Sequence, residues 1–333
     1  MRIVLRCDIG AEHGLGHGVR MRALAQELAT HGANVSFVTT TPALEAFVAP
    51  FPCQTRSEKC LPLNADVFVV DTKEPWIQAV LETLQARHGN KTKVVRIDHP
   101  HTTPDSCDVL IGPCVHWPTE TVSALRAAFG DRFLYGWDYV MLAPEVTQQQ
   151  PIPYEQRRQG PIVFCAGGSD PSGALTKMWQ WTQGLALPTE AHFVIGTAFS
   201  EKLGIERPWF DSSSRRMPTG VFPPHTYRAE LRRAAMAVSL FGITIYESVW
   251  YRTPLLMLAH TEENLQGAVY LGQAISTASF SDALSFGNGQ EYLCEGIREL
   301  WESEQDRTAR HHAATGLIDG RGTARVAEAI LGL

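Results

Sequence analysis

Short apolar runs recur along the chain, each bounded by turn residues and separated by room for one helix. "MRIVLRCD" opens the series, followed by "VSFVTT" (35–40), "DVFVVD" (66–71), "KVVRID" (93–98) and "DVLIGP" (108–113). Between the first two lies "VRMRALAQELATHG", where Leu24, Ala25 and Leu28 share one side and Gly32 offers a C-cap. Strands alternating with helices predict a parallel sheet covered on both faces. The pattern pauses over 143–160, where prolines, three consecutive glutamines and charges carry no apolar period. It restarts with "PIVFCAGGSD" (161–170), "AHFVIG" (191–196), "TGVFPP" (219–224), "MAVSLFG" (236–242) and "PLLMLAH" (254–260). The expectation is an α/β protein of two Rossmann-like, doubly wound domains, 1–142 and 161–333, joined by a linker at 143–160. Such domains take ligands at the carboxyl ends of their strands, here expected in a central cleft. The last helix, within "GRGTARVAEAILGL", either caps the second domain or crosses back to the first.

Composition narrows the partners. The 333 residues are 44% apolar and 19% charged, with a formal charge of −6, which gives no basic field for nucleic acid or an anionic membrane. The basic pairs Arg157-Arg158, Arg215-Arg216 and Arg232-Arg233 read as solvated surface, as does His311-His312. No stretch has the length and apolarity of a membrane helix, and the charged start is not a signal peptide. The expected location is cytoplasmic, with the seven cysteines reduced and, at their spacings, not a structural zinc site.

Three loops at strand ends carry candidate chemistry. In "DIGAEHGLGHGVR", Gly14, Gly16 and Gly18 free the backbone for close approach to a ligand. His17 falls at a helix start, whose field favours a neutral, proton-accepting imidazole, and Arg20, one turn on, is placed to hold an anion. In "CAGGSDPSG", Gly167, Gly168 and Ser169 form an amide-rich turn suited to phosphate, and Asp170 either caps the next helix or binds a hydroxyl. In "FGITIYESVWYRTPLLMLAHTEENLQ", Gly242 ends a strand and Thr244 begins a helix. Glu247 follows as either a ligand residue or the partner of Thr244 in a capping box. His260, Glu263, Asn264 and Gln266 sit at the next strand end.

In this order the segments resemble the GT-B superfamily. Within it they look like the UDP-sugar hydrolases of pseudaminic acid biosynthesis and their spore-coat polysaccharide relatives. "RCDIGAEHGLGHGVRMRALAQEL" carries the Arg-x-Asp…Gly-x-Gly-His-x-x-Arg signature that includes Asp8; "YGWDYVMLAPE", "AGGSDPSG" and "LFGITIYESVWYRTPLLML" carry the rest. The resemblance implies a GT-B-like fold and a nucleotide-diphosphate sugar as substrate, a UDP-sugar being favoured. His17 is implied as the catalytic base, with Gly16, Gly168, Ser169 and Thr244 around the diphosphate and Glu247 on the ribose. It implies neither a metal nor another cofactor. Asp71 matches the first position of an Asp-His-Tyr element whose other two positions are Thr72 and Lys73 here. Ala259, His260 and Thr261 stand where relatives carry Asp-Asn-Gln, so Asn264 supplies the amide if the loop shifts, and Ala143 replaces an expected arginine.

Hydrolysis of the UDP-sugar is the leading reading. Transfer to an acceptor hydroxyl of unknown identity and non-catalytic nucleotide-sugar binding are the alternatives. A Rossmann dehydrogenase is disfavoured because the first turn lacks Gly-x-Gly-x-x-Gly. Asp98, His99 and His101 in "RIDHPH" read as polar loop residues rather than metal ligands for want of a fourth donor, and Trp179 and Trp181 as packing.

Overall fold

The computed structural model describes residues 1–10, 13–56, 65–72, 92–168, 170, 173–187, 189–196, 220–222, 226–259, 261–275, 279–281 and 289–333. They form two compact units, Met1–Glu145 with Ile318–Leu333, and Val146–Leu317.

The first unit holds a seven-stranded sheet. Its strands are β1 (Arg2–Cys7), β2 (Asn34–Thr39), β3 (Cys53–Thr55), β4 (Val67–Asp71), β5 (Lys93–Ile97), β6 (Val109–Gly112) and β7 (Phe133–Tyr135). The order is β3-β2-β1-β4-β5-β6-β7 and every pairing is parallel. Alternation along the strands sends Ile3, Leu5, Val67, Val69, Val95 and Ile97 to one face. There they pack on Met21, Leu24 and Leu28 of the helix Gly16–Thr30. Gly18 in that helix is set by packing: a Cβ there would meet Ile9 Cγ2 at 2.5 Å.

The C-terminal helix Gly322–Leu331 closes the same core with Val326, Ala327 and Ile330. A Cβ on Gly322 would meet the Val140 carbonyl oxygen at 2.2 Å, and Thr323 Oγ1 donates to the Leu142 carbonyl at 3.1 Å. Residues 318–333 therefore belong with the first unit and not, as the expected boundary had them, with the second.

The second unit has a six-stranded parallel sheet, β10-β9-β8-β11-β12-β13. Its strands are β8 (Ile162–Cys165), β9 (Ala191–Val194), β10 (Gly220–Phe222), β11 (Met236–Leu240), β12 (Leu255–Leu258) and β13 (Ser279–Ser281). Ile162, Phe164, Met236, Val238, Leu256 and Leu258 pack on Leu175 and Met178 of the helix Ala174–Thr182. Trp179 and Trp181 sit partly buried against that core, as packing residues.

The expected linker is structured: its residues up to Glu145 fall in the first unit and those from Val146 are built into the second. Helices Pro144–Thr147 and Tyr154–Arg157 occupy it. Arg157, read from sequence as solvated, is buried and donates to Thr253 Oγ1 at 2.8 Å and to the carbonyls of Tyr251 (2.8 Å) and Arg252 (2.6 Å). Its Nη2 lies 3.0 Å from Nδ1 of His311, which is buried as well and not in solvent. A guanidinium can be buried when carbonyls surround it, a pairing that a run of polar residues does not announce.

Candidate active site

In both sheets the chain runs outward in one direction from the first strand and then restarts on its other side. β1 lies between β2 and β4, and β8 lies between β9 and β11. Ligand sites form beside the carboxyl ends of strands at such switch points, and most of the candidate residues fall there.

At the first switch point β1 leads into a loop pinned by two backbone hydrogen bonds between Gly10 and Gly14 (3.1 and 2.8 Å), with Gly14 at φ +74°. The helix then begins at Gly16, so His17 is its second residue. Asp71 ends β4 and is fully buried; Asp98 follows β5 in a left-handed backbone conformation, φ +58°. His17 Nδ1 lies 2.7 Å from Asp71 Oδ1. Arg20 donates through Nε to Asp71 Oδ2 (2.6 Å) and through Nη2 to Asp71 Oδ1 (2.5 Å) and Asp98 Oδ2 (3.0 Å).

A carboxylate can only accept, so Asp71 fixes the proton of His17 on Nδ1 and leaves the lone pair on Nε2. Arg20 Nη2 is 3.0 Å from Nδ1, a close approach rather than a second bond to a nitrogen that carries a proton. Burial opposes ionisation of Asp71, but the charge of Arg20 and the hydrogen bonds from Arg20 and His17 prevail and hold its carboxyl below the usual range. Arg20, expected to hold a ligand anion, is thus spent on two carboxylates of its own chain.

Asp8, implied as a ligand residue, is turned inward. It pairs with Arg6 at 2.6 Å and accepts from Thr39 Oγ1 (2.7 Å) and the Thr40 amide (2.8 Å), stitching β1 to the loop after β2. Burial raises its pKa, but the Arg6 and threonine bonds dominate and bring it down to about 2. Thr72 is buried behind Asp71; Lys73 lies outside the described residues. His99 Nδ1 is 3.0 Å from Thr102 Oγ1, whose hydroxyl already donates to the His99 carbonyl. The imidazole is therefore the donor in that contact. Burial and the Arg96 charge push its pKa down to about 4. Asp98, His99 and His101 do not converge; among the described residues it is Asp98, Cys114 and His116 that bring donor atoms within 4.8 Å of one another.

At the second switch point Gly167 takes φ +73° after β8. Gly196, after β9, lies so close that a Cβ would meet the carbonyl oxygens of Gly168 at 2.3 Å and Gly167 at 2.5 Å. Asp170 takes the capping alternative: its carboxylate accepts from the amides of Ala174 (2.7 Å) and Leu175 (3.1 Å). Ser169 and His260 lie outside the described residues.

After β11, Gly242 is the N-cap of the helix Ile243–Tyr251, and Thr244 is its second residue, without a side-chain cap. The Thr244–Glu247 capping box is therefore not formed. Glu247 is buried, with Oε1 3.8 Å from Arg228 Nε. The neighbouring Tyr227 hydroxyl is pushed well above its usual pKa by burial and by the Glu247 charge. Sequence reasoning missed Tyr227 and Arg228, which sit in "TYRAELRRA", an ordinary amphipathic segment to the eye. After β12, Thr261 Oγ1 accepts from the Asn264 amide at 3.1 Å and starts the helix Glu262–Ile275, while Asn264 Oδ1 is buried without a hydrogen bond.

Two parallel-sheet α/β units with these switch points define a protein of the GT-B fold. The chain is 22% identical, over 98% of its length and 96% of the relative's, to the spore coat polysaccharide biosynthesis protein SpsG of Bacillus subtilis. No family model matches the chain. Among solved structures it is similar to the calicheamicin glycosyltransferase CalG4 (TM-score 0.62, 16% identity, 99% of this chain and 98% of that one). It is also similar to Staphylococcus aureus MnaA in a co-structure with UDP (TM-score 0.60, 12% identity, 98% and 94%).

Proposed function

We infer that this chain is an enzyme acting on a nucleotide-diphosphate sugar, with a UDP-sugar favoured, in surface polysaccharide or nonulosonic acid biosynthesis. The observation that carries this reading is the His17–Asp71 pair at the carboxyl end of a parallel sheet, with the lone pair of His17 on Nε2. A histidine oriented by a buried carboxylate is the arrangement general-base catalysis needs. In the proposed reaction Nε2 takes a proton from water as the water oxygen bonds to the anomeric carbon. The bond from that carbon to the diphosphate oxygen breaks, and the nucleoside diphosphate departs with the electron pair. Arg20 and Asp71 position the imidazole. In the second unit Glu247 is assigned to the ribose hydroxyls and the amides at Gly168 and Thr244, with Ser169 by resemblance, to the phosphates, to stabilise the leaving group as it gains charge. The similarity to SpsG and to a UDP-bound structure supports the substrate class and the pathway.

Transfer to an acceptor hydroxyl is the second reading, favoured by the similarity to CalG4. The purified protein, incubated with UDP-, CMP- and GDP-sugars with and without acceptors, separates the two. Nucleotide release without acceptor marks hydrolysis; release only with acceptor marks transfer; tight binding without turnover marks a binding protein. Among the described residues no helix is long and apolar enough to cross a membrane. The six cysteines among them are free, in keeping with a cytoplasmic place of action.

A further inference from the structure

Beside the His17 cluster, the loop after β6 carries Cys114 and His116 two residues apart, facing Asp98 from the end of β5. We propose that Asp98, Cys114 and His116 form a binding site for one divalent transition-metal ion of the zinc class.

Carboxylate oxygen, thiolate sulfur and imidazole nitrogen are the three donor types zinc takes from proteins, and three of them leave a fourth position open. Bond lengths of about 2.0 Å to nitrogen and 2.3 Å to sulfur place tetrahedral donors roughly 3.3–3.8 Å apart. The donors here are within 4.8 Å of one another, so small side-chain rotations close the site.

The backbone is set for convergence. Asp98 holds its left-handed conformation while its amide donates to the Ile111 carbonyl at 2.8 Å, and the Cys114 amide turns back to the Gly112 carbonyl at 2.8 Å. Trp117 braces the loop: its ring stacks on Tyr135 (5.3 Å) and Phe133 (6.1 Å), and its amide donates to the Tyr135 hydroxyl at 3.1 Å. Arg20 bonds Asp98 Oδ2 and orients the carboxylate to ligate through Oδ1, as outer partners do in metal sites. Charge fits as well. Asp71, Asp98 and a Cys114 thiolate set against Arg20 and Arg96 leave one negative charge toward a dication, and the thiol proton leaves to solvent when the metal binds.

Cobalt(II), a spectroscopic stand-in for zinc, tests this on the full chain without any nucleotide sugar. Failure here therefore leaves the proposed sugar chemistry untouched. One equivalent of Co²⁺ is expected to bind saturably, with a thiolate-to-cobalt charge-transfer band, and zinc is expected to displace it. Cys114→Ser abolishes the band, His116→Ala weakens binding at least about tenfold, and His17→Ala leaves the spectrum unchanged. Absence of saturable binding to the wild type, or a band that survives Cys114→Ser, overturns the site. Should Cys114→Ser fail to fold by circular dichroism, His116→Ala decides, and unchanged affinity there overturns the proposal.

Discussion

His17 Nδ1 and Asp71 Oδ1 lie 2.7 Å apart, joined across 54 residues of sequence by the adjacency of β1 and β4. One carboxylate, wholly out of solvent, thereby sets the imidazole tautomer and neutralises Arg20. Asp71→Asn keeps the shape but removes the charge and can turn an N–H toward Nδ1, stranding the imidazole in the other tautomer. The expected result is a fall in kcat of about 10²–10⁴-fold with a much smaller change in KM. Arg20 keeps Asp98 as a partner, so the loss of stability stays below the about 3–5 kcal/mol of a buried charge left wholly unpaired. Steady-state kinetics and thermal unfolding check both; an unchanged kcat removes Asp71 from the reaction.

Gly196 offers a test of the diglycine turn from outside it. A methyl group there collides with the Gly167 and Gly168 carbonyls, which are backbone and cannot rotate aside. Gly196→Ala is expected to lower stability by about 1–3 kcal/mol and to weaken UDP binding with it. Calorimetric titration with UDP and thermal melts read the two effects, and a variant with wild-type UDP affinity separates the turn from the nucleotide.

Glu247, buried with Oε1 3.8 Å from Arg228 Nε, is proposed to meet the ribose. Glu247→Gln should raise KM for the UDP-sugar by roughly tenfold, about 1.4 kcal/mol for one charge-assisted hydrogen bond, with kcat changing less. A fall in kcat at constant KM would assign the residue elsewhere.

His311 makes the second unit sensitive to acid. Burial and the Arg157 charge, with His312 and Arg252 also near, push its pKa down to about 4, against an ordinary value of about 6.5. Between those values the unfolded chain takes up a proton that the folded chain refuses, so stability falls as pH drops from about 6.5 toward 4. His311→Gln should show a smaller loss of urea midpoint between pH 7 and pH 5 than wild type, with His99 keeping part of the slope. An identical loss in both proteins would contradict the assignment.

All ten apolar runs of the sequence fall on strands, nine of them inner strands, which in a parallel sheet are buried on both faces and must be continuously apolar, and the tenth on the edge strand β10. The strands it missed, β3, β7 and β13, have three residues each and lie at sheet edges, too short to show a period. His17 and Arg20 were legible from one helical turn. Their partner Asp71 came through a family pattern, and Asp98 was noticed for the wrong companions, since pairing between loops depends on strand order and local patterning does not encode it. Asp8 and Asp170 look in sequence like ligand residues because a carboxylate at a strand end reads the same whether it faces solvent or closes a turn. Cys114 is one of seven scattered cysteines in the sequence, and nothing local shows that its neighbours in space are Asp98 and His116.

The most direct measurement is nucleotide release by purified His17→Ala from the UDP-sugar the wild type turns over, with UDP affinity measured on the same preparation. Turnover is expected to fall at least about 10²-fold while UDP binding stays within a few-fold of wild type. Turnover at the wild-type rate in that variant would contradict the role of His17 as the base.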